Sequence, residues 1–355
     1  MNETQKNSTP ADFEFLTIDE QGFPALGGIR VTDENFGKEL IKGITMDQEG
    51  RAFTKAGGKS YLVEYFDEAL VAQNLEIMDG KSGKINLVYG LTAEFKFDTL
   101  CSDEWDRFHG RTDSKVPFVL SRSAQSEFFH KVDSFDDDSV IIKGKAYVIP
   151  PLFQLNQNVQ SPEFWTKKYK DEKTEWSLGG PAHPLKSIMP QLKLSAQRIA
   201  VLGAGTCEDA AYLAGLGHFV TAIDFSGEAI ARARLKFSQV ERLKFIECDI
   251  FHLPASLDQN FDLVFEHTCY SAVDPTKRSQ LIKIWNRLLA PQGHMLGIFY
   301  TIDKRQGPPF GGSEWEMKKR LEKYFRLLYW TRWREQSYPR AGQELVVFAQ
   351  KSNKI

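Results

Sequence analysis

Between residues 198 and 300, short apolar runs alternate with segments of helical period. RIAVLGAG, FVTAIDFS, LKFIECDI, FDLVFEHT and GHMLGIFYT are interleaved with CEDAAYLAGLG, GEAIARARLKFSQV and KRSQLIKIWNRLLAPQG. Strand and helix alternating at this spacing predict a parallel α/β sheet with helices on both faces, because each crossover returns the chain in the same direction. The last two apolar runs, RLLYWTRW and QELVVFAQ, are joined by the short polar link REQSYPRAG and predict an antiparallel hairpin closing the sheet edge.

In an open parallel sheet, ligands sit beyond the carboxyl ends of the strands, and the first strand–helix turn lies at the switch point. Gly203 and Gly205 occupy that turn, where a missing side chain lets backbone approach a ligand. A dinucleotide fingerprint would place Gly or Ala at position 208. The chain has Glu208 there with Asp209 beside it, and carboxylates at a helix start repel a phosphate and suit a ligand carrying positive charge. An NAD-dependent oxidoreductase is therefore disfavoured. Asp224 ends the second strand, where a carboxylate can accept both ribose hydroxyls, with a helix-capping role for Asp224 or Ser226 as the alternative. Asp249, after the third strand, can accept the exocyclic amine of adenine or simply close a surface turn. Adenine, ribose and a cationic tail without phosphate describe S-adenosylmethionine.

Upstream the pattern is different. IPPLFQLNQNVQSPEF reads as a linker, which sets the expected domain boundary near residue 155 and divides the chain into 1–155 and 156–355. EFLTIDEQGFPALGGIRV, KSYLVEYF, KINLVYGLTAEFKF and SVIIKGKAYVI predict strands and turns, while NFGKELIKGI and FDEALVAQNLEI read as short helices. A separate α+β or mostly β N-terminal domain is expected, with no legible catalytic constellation. The acidic run Asp136–Asp138 lacks the alternating oxygen ligands and glycine of a calcium loop and reads as a solvated turn. YFDEALVAQ and FTKAGGKSY are candidate interface segments for a homo-oligomer or a protein partner, with ordinary packing as the default.

Residues 1–150 carry 17 Lys+Arg against 26 Asp+Glu, leaving 28 against 21 for the remainder. That asymmetry suits attraction between the halves or of a small anion to the basic half. Nucleic acid is not an expected partner, because basic and aromatic residues do not cluster. Cys101, Cys207, Cys248 and Cys269 are scattered without metal-site or redox spacing. The absence of a long apolar run and of a signal-peptide pattern in the first fifteen residues predicts no membrane partner and a cytoplasmic location.

With these residues in place, 162–350 resembles the class I methyltransferases, and within them the thiopurine, thiol and halide S-methyltransferase family. PEFWTKKYKDEKTEWSLGGPAHPL is similar to the family's N-terminal cofactor lid, EHTCYSAVDPTKR to its segment after strand four, and GPPF with YPRAGQE to its late substrate-side loops. The resemblance implies a Rossmann-like class I sheet, S-adenosylmethionine as cofactor and a small-molecule nucleophile as substrate. Carried over by position, Trp165, Tyr169 and Trp176 match the lid aromatics, and a sulfonium against aromatic faces gains about 0.5–2 kcal/mol. Gly203, Gly205, Asp224, Phe225, Asp249, Ile250 and His267 match the remaining cofactor positions. Glu266 is the acid ending strand four, and Arg278 and Arg340 are the cations expected near the substrate, with a plain surface charge as the alternative for either.

The halide and thiol branch commonly has an acid followed by Tyr and Phe, where this chain reads Glu266, His267, Thr268, Cys269, Tyr270. The departure leaves the acceptor open. His267 is either a general base or a packing and hydrogen-bonding residue. Cys269 is read as a small buried residue, since direct transfer from a sulfonium requires no protein nucleophile. The expected reaction is in-line displacement of the cofactor methyl by a thiolate, hydrosulfide, thiocyanate or halide, with orientation and desolvation as the main catalytic effects. An N- or O-methyltransferase and a noncatalytic cofactor-binding regulator are the alternatives. Finally, Ser313 and Glu316 have capping-box spacing, predicting a helix whose Lys318, Lys319, Arg320 and Lys323 form a solvated face.

Overall fold

The computed structural model describes residues 13–136, 138–155, 157–335 and 338–352. The N-terminal stretch read for targeting signals and Asp137 of the acidic run lie largely or wholly outside them. The chain forms two compact units: Met1–Leu152 with Ser313–Trp315, and Phe153–Gly312 with Glu316–Ile355.

The second unit is built on seven strands: β1 (Arg198–Leu202), β2 (Phe219–Asp224), β3 (Leu243–Glu247), β4 (Phe261–His267), β5 (Leu289–Tyr300), β6 (Phe325–Arg332) and β7 (Glu344–Lys351). Their order is β3-β2-β1-β4-β5-β7-β6. The first five are parallel, β7 runs antiparallel to β5, and β6 pairs antiparallel with β7 at the edge. The helices are α1 (Pro162–Lys170), α2 (His183–Gln191), α3 (Glu208–Gly215), α4 (Gly227–Phe237), α5 (Cys269–Ala272), α6 (Arg278–Leu288) and α7 (Glu314–Leu321), the last reaching into Ser313–Trp315.

The physical origin of the unbroken apolar runs is visible in β1, where Ile199, Ala200, Val201 and Leu202 are all buried. Ile199 and Val201 pack with Leu185 of α2 and Leu213 of α3, whereas Ala200 and Leu202 pack on the other face with Leu281 and Trp285 of α6. Period-two alternation thus feeds two cores at once, and the carboxyl ends of β1, β2 and β4 bring Gly203, Asp224 and Glu266 to one edge of the sheet. No helix among the described residues is long and apolar enough to cross a membrane.

Among its described residues, the first unit contains sheets of six, three, four and three strands and the α-helices Glu34–Lys42 and Arg122–Lys131. Asp33 caps the first of these by accepting from the Phe36 N–H at 2.8 Å. FDEALVAQNLEI, read as helical, instead supplies the strands Leu70–Ala72 and Asn74–Ile77. Leu70, Val71 and Ala72 are all buried, and the strand pairs in parallel with Pro117–Leu120, so tertiary pairing overrides a marginal local period. Arg122–Lys131 is a helix that the sequence reading did not assign.

Candidate cofactor and acceptor site

β1 ends at Leu202 and the backbone enters a left-handed turn, with φ of +60° at Gly203 and +54° at Gly205. A side chain is excluded on two counts. The backbone conformation disfavours it, and an added Cβ would lie 2.5 Å from Cys269 Sγ at Gly203 and 2.7 Å from the Tyr169 hydroxyl at Gly205. Cys269 therefore buttresses the turn; burial, followed by the nearby Glu266 and Asp224 carboxyls, pushes its thiol well up, which suits packing and not nucleophilic attack.

Asp224, the last residue of β2, is buried and accepts from the Gly205 N–H and the Ser226 N–H, each at 2.8 Å. Helix α4 is capped by Ser226, whose hydroxyl accepts from the Ala229 N–H at 3.4 Å. The carboxylate thus clamps the glycine turn, and it has about four acceptor positions, leaving capacity for ligand hydroxyls. Its pKa is raised by burial, partly offset by those backbone N–H groups. Glu208 at the start of α3 accepts from Thr206 Oγ1 at 2.6 Å and pairs with Lys236 at 2.8 Å, so acidic side chains stand where a pyrophosphate would need donors. These features fit a nucleoside without phosphate.

The aromatic segment lies over this turn. Trp165 and Tyr169 are buried on α1, and Trp176 meets both edge-on, with centroids 5.6 Å away in each case. The Trp165 indole N–H donates to the Val159 carbonyl at 2.8 Å, so the end of the expected linker is packed structure. Phe225 joins the Trp165 cluster, and Ile250 is buried beside Ile223. Asp249 has local partners: it accepts from the Phe251 N–H at 2.9 Å and faces His252 Nδ1 at 2.8 Å, closing a short 3₁₀ turn. Because Tyr169 is the group that would meet a Cβ at 205, Gly205→Ala is expected to weaken cofactor binding, with partial recovery in Gly205→Ala/Tyr169→Phe. Calorimetric titration checks this; no recovery would assign the loss to backbone strain alone.

At the end of β4 the two candidate bases have been drawn into the protein. Glu266 is fully buried and one oxygen accepts from the Tyr270 N–H at 3.0 Å, while the other makes no hydrogen bond among the described residues. Burial pushes its pKa up to about 8, against the Tyr270 N–H and the nearby His267 and Arg278 charges. His267 places Nδ1 2.7 Å from Asp209 and Nε2 3.6 Å from Glu344. Burial alone would lower its pKa, but Asp209 and then Glu344 outweigh it and raise the value to about 10. Arg340 joins the same network, donating to Glu344 at 3.2 Å and to the Trp176 carbonyl at 2.8 Å.

Arg278 goes elsewhere. Expected at the substrate, it is wholly buried at the start of α6, with its guanidinium donating to Glu316 at 3.1 Å and to the Gly311 carbonyl at 2.9 Å and lying 4.3 Å from the Tyr270 ring centre. Glu316 also accepts from the Tyr270 hydroxyl at 2.7 Å and from Arg320 Nε at 3.0 Å. The α7 helix begins where the Ser313–Glu316 spacing placed it, but Arg320 belongs to this buried network and not to a solvated face. Sequence reasoning missed Glu344 and Glu316 as site-supporting acids. A carboxylate inside an otherwise apolar run, as at the start of ELVVFAQ, is the signal that marks the first.

Comparison with known proteins identifies the family. Residues 160–346 match the family model described as Thiopurine S-methyltransferase (TPMT), which spans more than half of the chain. The chain is 30% identical over 174 residues to a probable thiol methyltransferase 2 of Arabidopsis thaliana, covering 48% of this chain and 76% of that protein. It is 29% identical over 151 residues to thiocyanate methyltransferase 1 of the same plant, covering 41% and 65%. Among solved structures, a 1,6-didemethyltoxoflavin-N1-methyltransferase of Burkholderia thailandensis aligns with a TM-score of 0.46 at 22% identity, over 55% of this chain and 88% of that one. The glycine turn, the buried Asp224 and the matched length lead to one conclusion: the chain belongs to the thiopurine S-methyltransferase family and is an S-adenosylmethionine-dependent methyltransferase.

Proposed function

We propose that residues 156–355 transfer the methyl group of S-adenosylmethionine to a small soft nucleophile: a thiolate, hydrosulfide, thiocyanate or halide. The observation that carries this reading is the state of the two side chains best placed to act as bases. His267 lies between Asp209 at 2.7 Å and Glu344 at 3.6 Å, whose charges favour its protonated form, and burial favours the neutral form of Glu266. A soft anion arrives already ionised and needs no protein base, so its transfer does not depend on the protonation of either side chain. The thiol and thiocyanate methyltransferases among the relatives support the same acceptor class.

The bound cofactor supplies an electrophilic methyl on a sulfonium. Gly203 and Gly205 leave room for it, Asp224 accepts its ribose hydroxyls, and Asp249, Phe225 and Ile250 flank the adenine. Trp165, Tyr169 and Trp176 exclude water and turn aromatic faces toward positive charge. Arg340 draws the anion inward and anchors Trp176, and Arg278 acts as a positioning residue through Glu316 and Tyr270.

S-adenosylhomocysteine formation should be measured with iodide, thiocyanate, hydrosulfide, thiophenol, a thiopurine and an amine. Turnover is expected with the sulfur or halide acceptors and not with the amine. Amine turnover exceeding that of every soft anion would replace this reading with N-methylation.

A further inference from the structure

Four charged residues from distant parts of the second unit connect the sheet to the segment carrying Trp176. Asp209, on the first turn of α3, accepts from the Ala182 N–H at 2.7 Å through one oxygen and meets His267 Nδ1 at 2.7 Å through the other. His267 reaches Glu344 at 3.6 Å, Glu344 pairs with Arg340 at 3.2 Å, and Arg340 donates to the Trp176 carbonyl at 2.8 Å. Both ends of segment 176–182 are therefore hydrogen-bonded to one continuous chain of charges. The segment's aromatic side chain packs against Tyr169, whose hydroxyl sits against Gly205.

We propose that Asp209, His267, Glu344 and Arg340 form a clasp that fastens segment 176–182 over the cofactor-binding turn, and that loss of the His267 proton releases it. The proposal rests on the reading above only in taking Gly203, Gly205 and Asp224 as the cofactor position. Without the imidazolium, the half-buried Asp209 and the buried Glu344 face each other across a neutral ring with Arg340 as the remaining cation, and the Ala182 end loses its electrostatic support. The groups facing His267 are Asp209 from α3, Glu344 from β7 and Glu266 on its own strand. Tyr338 and Arg340 stand behind Glu344, and burial followed by the Glu344 charge keeps the Tyr338 phenol protonated well into the alkaline range. Since the folded pKa of His267 is raised, its contribution is complete below the ordinary histidine value and is lost as pH rises toward and through about 10.

The test uses the full chain, free of cofactor and labelled with 5-fluorotryptophan, with the Trp176 fluorine resonance identified by its absence in Trp176→Phe. In the wild type, this resonance is expected to move toward its solvent-exposed position as pH is raised from 7 to 10.5, while that of the fully buried Trp285 stays fixed and shows the core intact. Asp209→Asn should lower the midpoint by about one pH unit or more, because it removes the nearest anion. Arg340→Gln, at a half-buried position, should place the resonance at the exposed end even at pH 7, and serves if Asp209→Asn does not fold. A Trp176 resonance that ignores pH in the wild type, or identical behaviour in wild type and variants, would overturn the clasp. Titrating S-adenosylhomocysteine into wild type and Asp224→Ala then tests the cofactor position separately. Equal affinity would remove that reading while leaving the cofactor-free result to stand.

Discussion

Asp224→Ala is expected to weaken S-adenosylmethionine and S-adenosylhomocysteine binding roughly 100-fold or more. Two ligand hydroxyls donating to a charged acceptor contribute about 1.5–3 kcal/mol each, and about 1.4 kcal/mol corresponds to a factor of ten. The same substitution removes the acceptor from the Gly205 N–H and the Ser226 N–H, so the turn loses its clamp along with the ligand's partner. Asp224→Asn should fall between wild type and alanine, since its single carbonyl can replace part of that acceptor capacity. Calorimetric titration gives the answer, and an alanine variant with wild-type affinity would end the ribose assignment.

Arg278→Met carries the largest expected cost in stability. The side chain is wholly buried, and its loss leaves the Gly311 carbonyl without this donor and Glu316 with one fewer cation. Burial opposes ionisation of Glu316, but Arg278 and Arg320 prevail and hold its carboxyl below the usual range. Breaking a buried ion pair from one side costs about 3–5 kcal/mol, which corresponds to a fall in melting temperature of roughly 10 °C for a unit of this size. Arg278→Met/Glu316→Gln should be less damaging than the sum of its single variants, because the second change removes the stranded charge. Differential scanning calorimetry follows all three. A variant that melts like wild type but binds its acceptor poorly would return Arg278 to the substrate side.

These two expectations differ in where they come from. Asp224 was legible from position alone: an acid ending the second strand of a parallel sheet, about twenty residues past a glycine turn, has a restricted set of uses. Arg278 was legible only as a cation following a loop. Its burial depends on Glu316, 38 residues away, and on backbone carbonyls 32 and 33 residues away. The same holds for His267, whose partner Asp209 is 58 residues distant, and for Arg340, which reaches Trp176 across 164 residues. Spacing gives no measure of such pairings, and a histidine without its neighbours reads equally well as a base or as a packing residue.

By itself, the sequence determined the parallel sheet with its antiparallel edge and the glycine turn, because local period and strand burial on two faces leave a signature in every five or six residues. It also placed a carboxylate beside that turn and aromatics before it. Only the tertiary structure decided which charges are spent inside the protein. It turned FDEALVAQNLEI into strands through pairing with Pro117–Leu120, buried Arg278 and Arg320 against Glu316, and set His267 between two acids. The reason is that protonation and burial are properties of an environment assembled from distant segments, and the energy of a buried charge depends on partners that no local window contains.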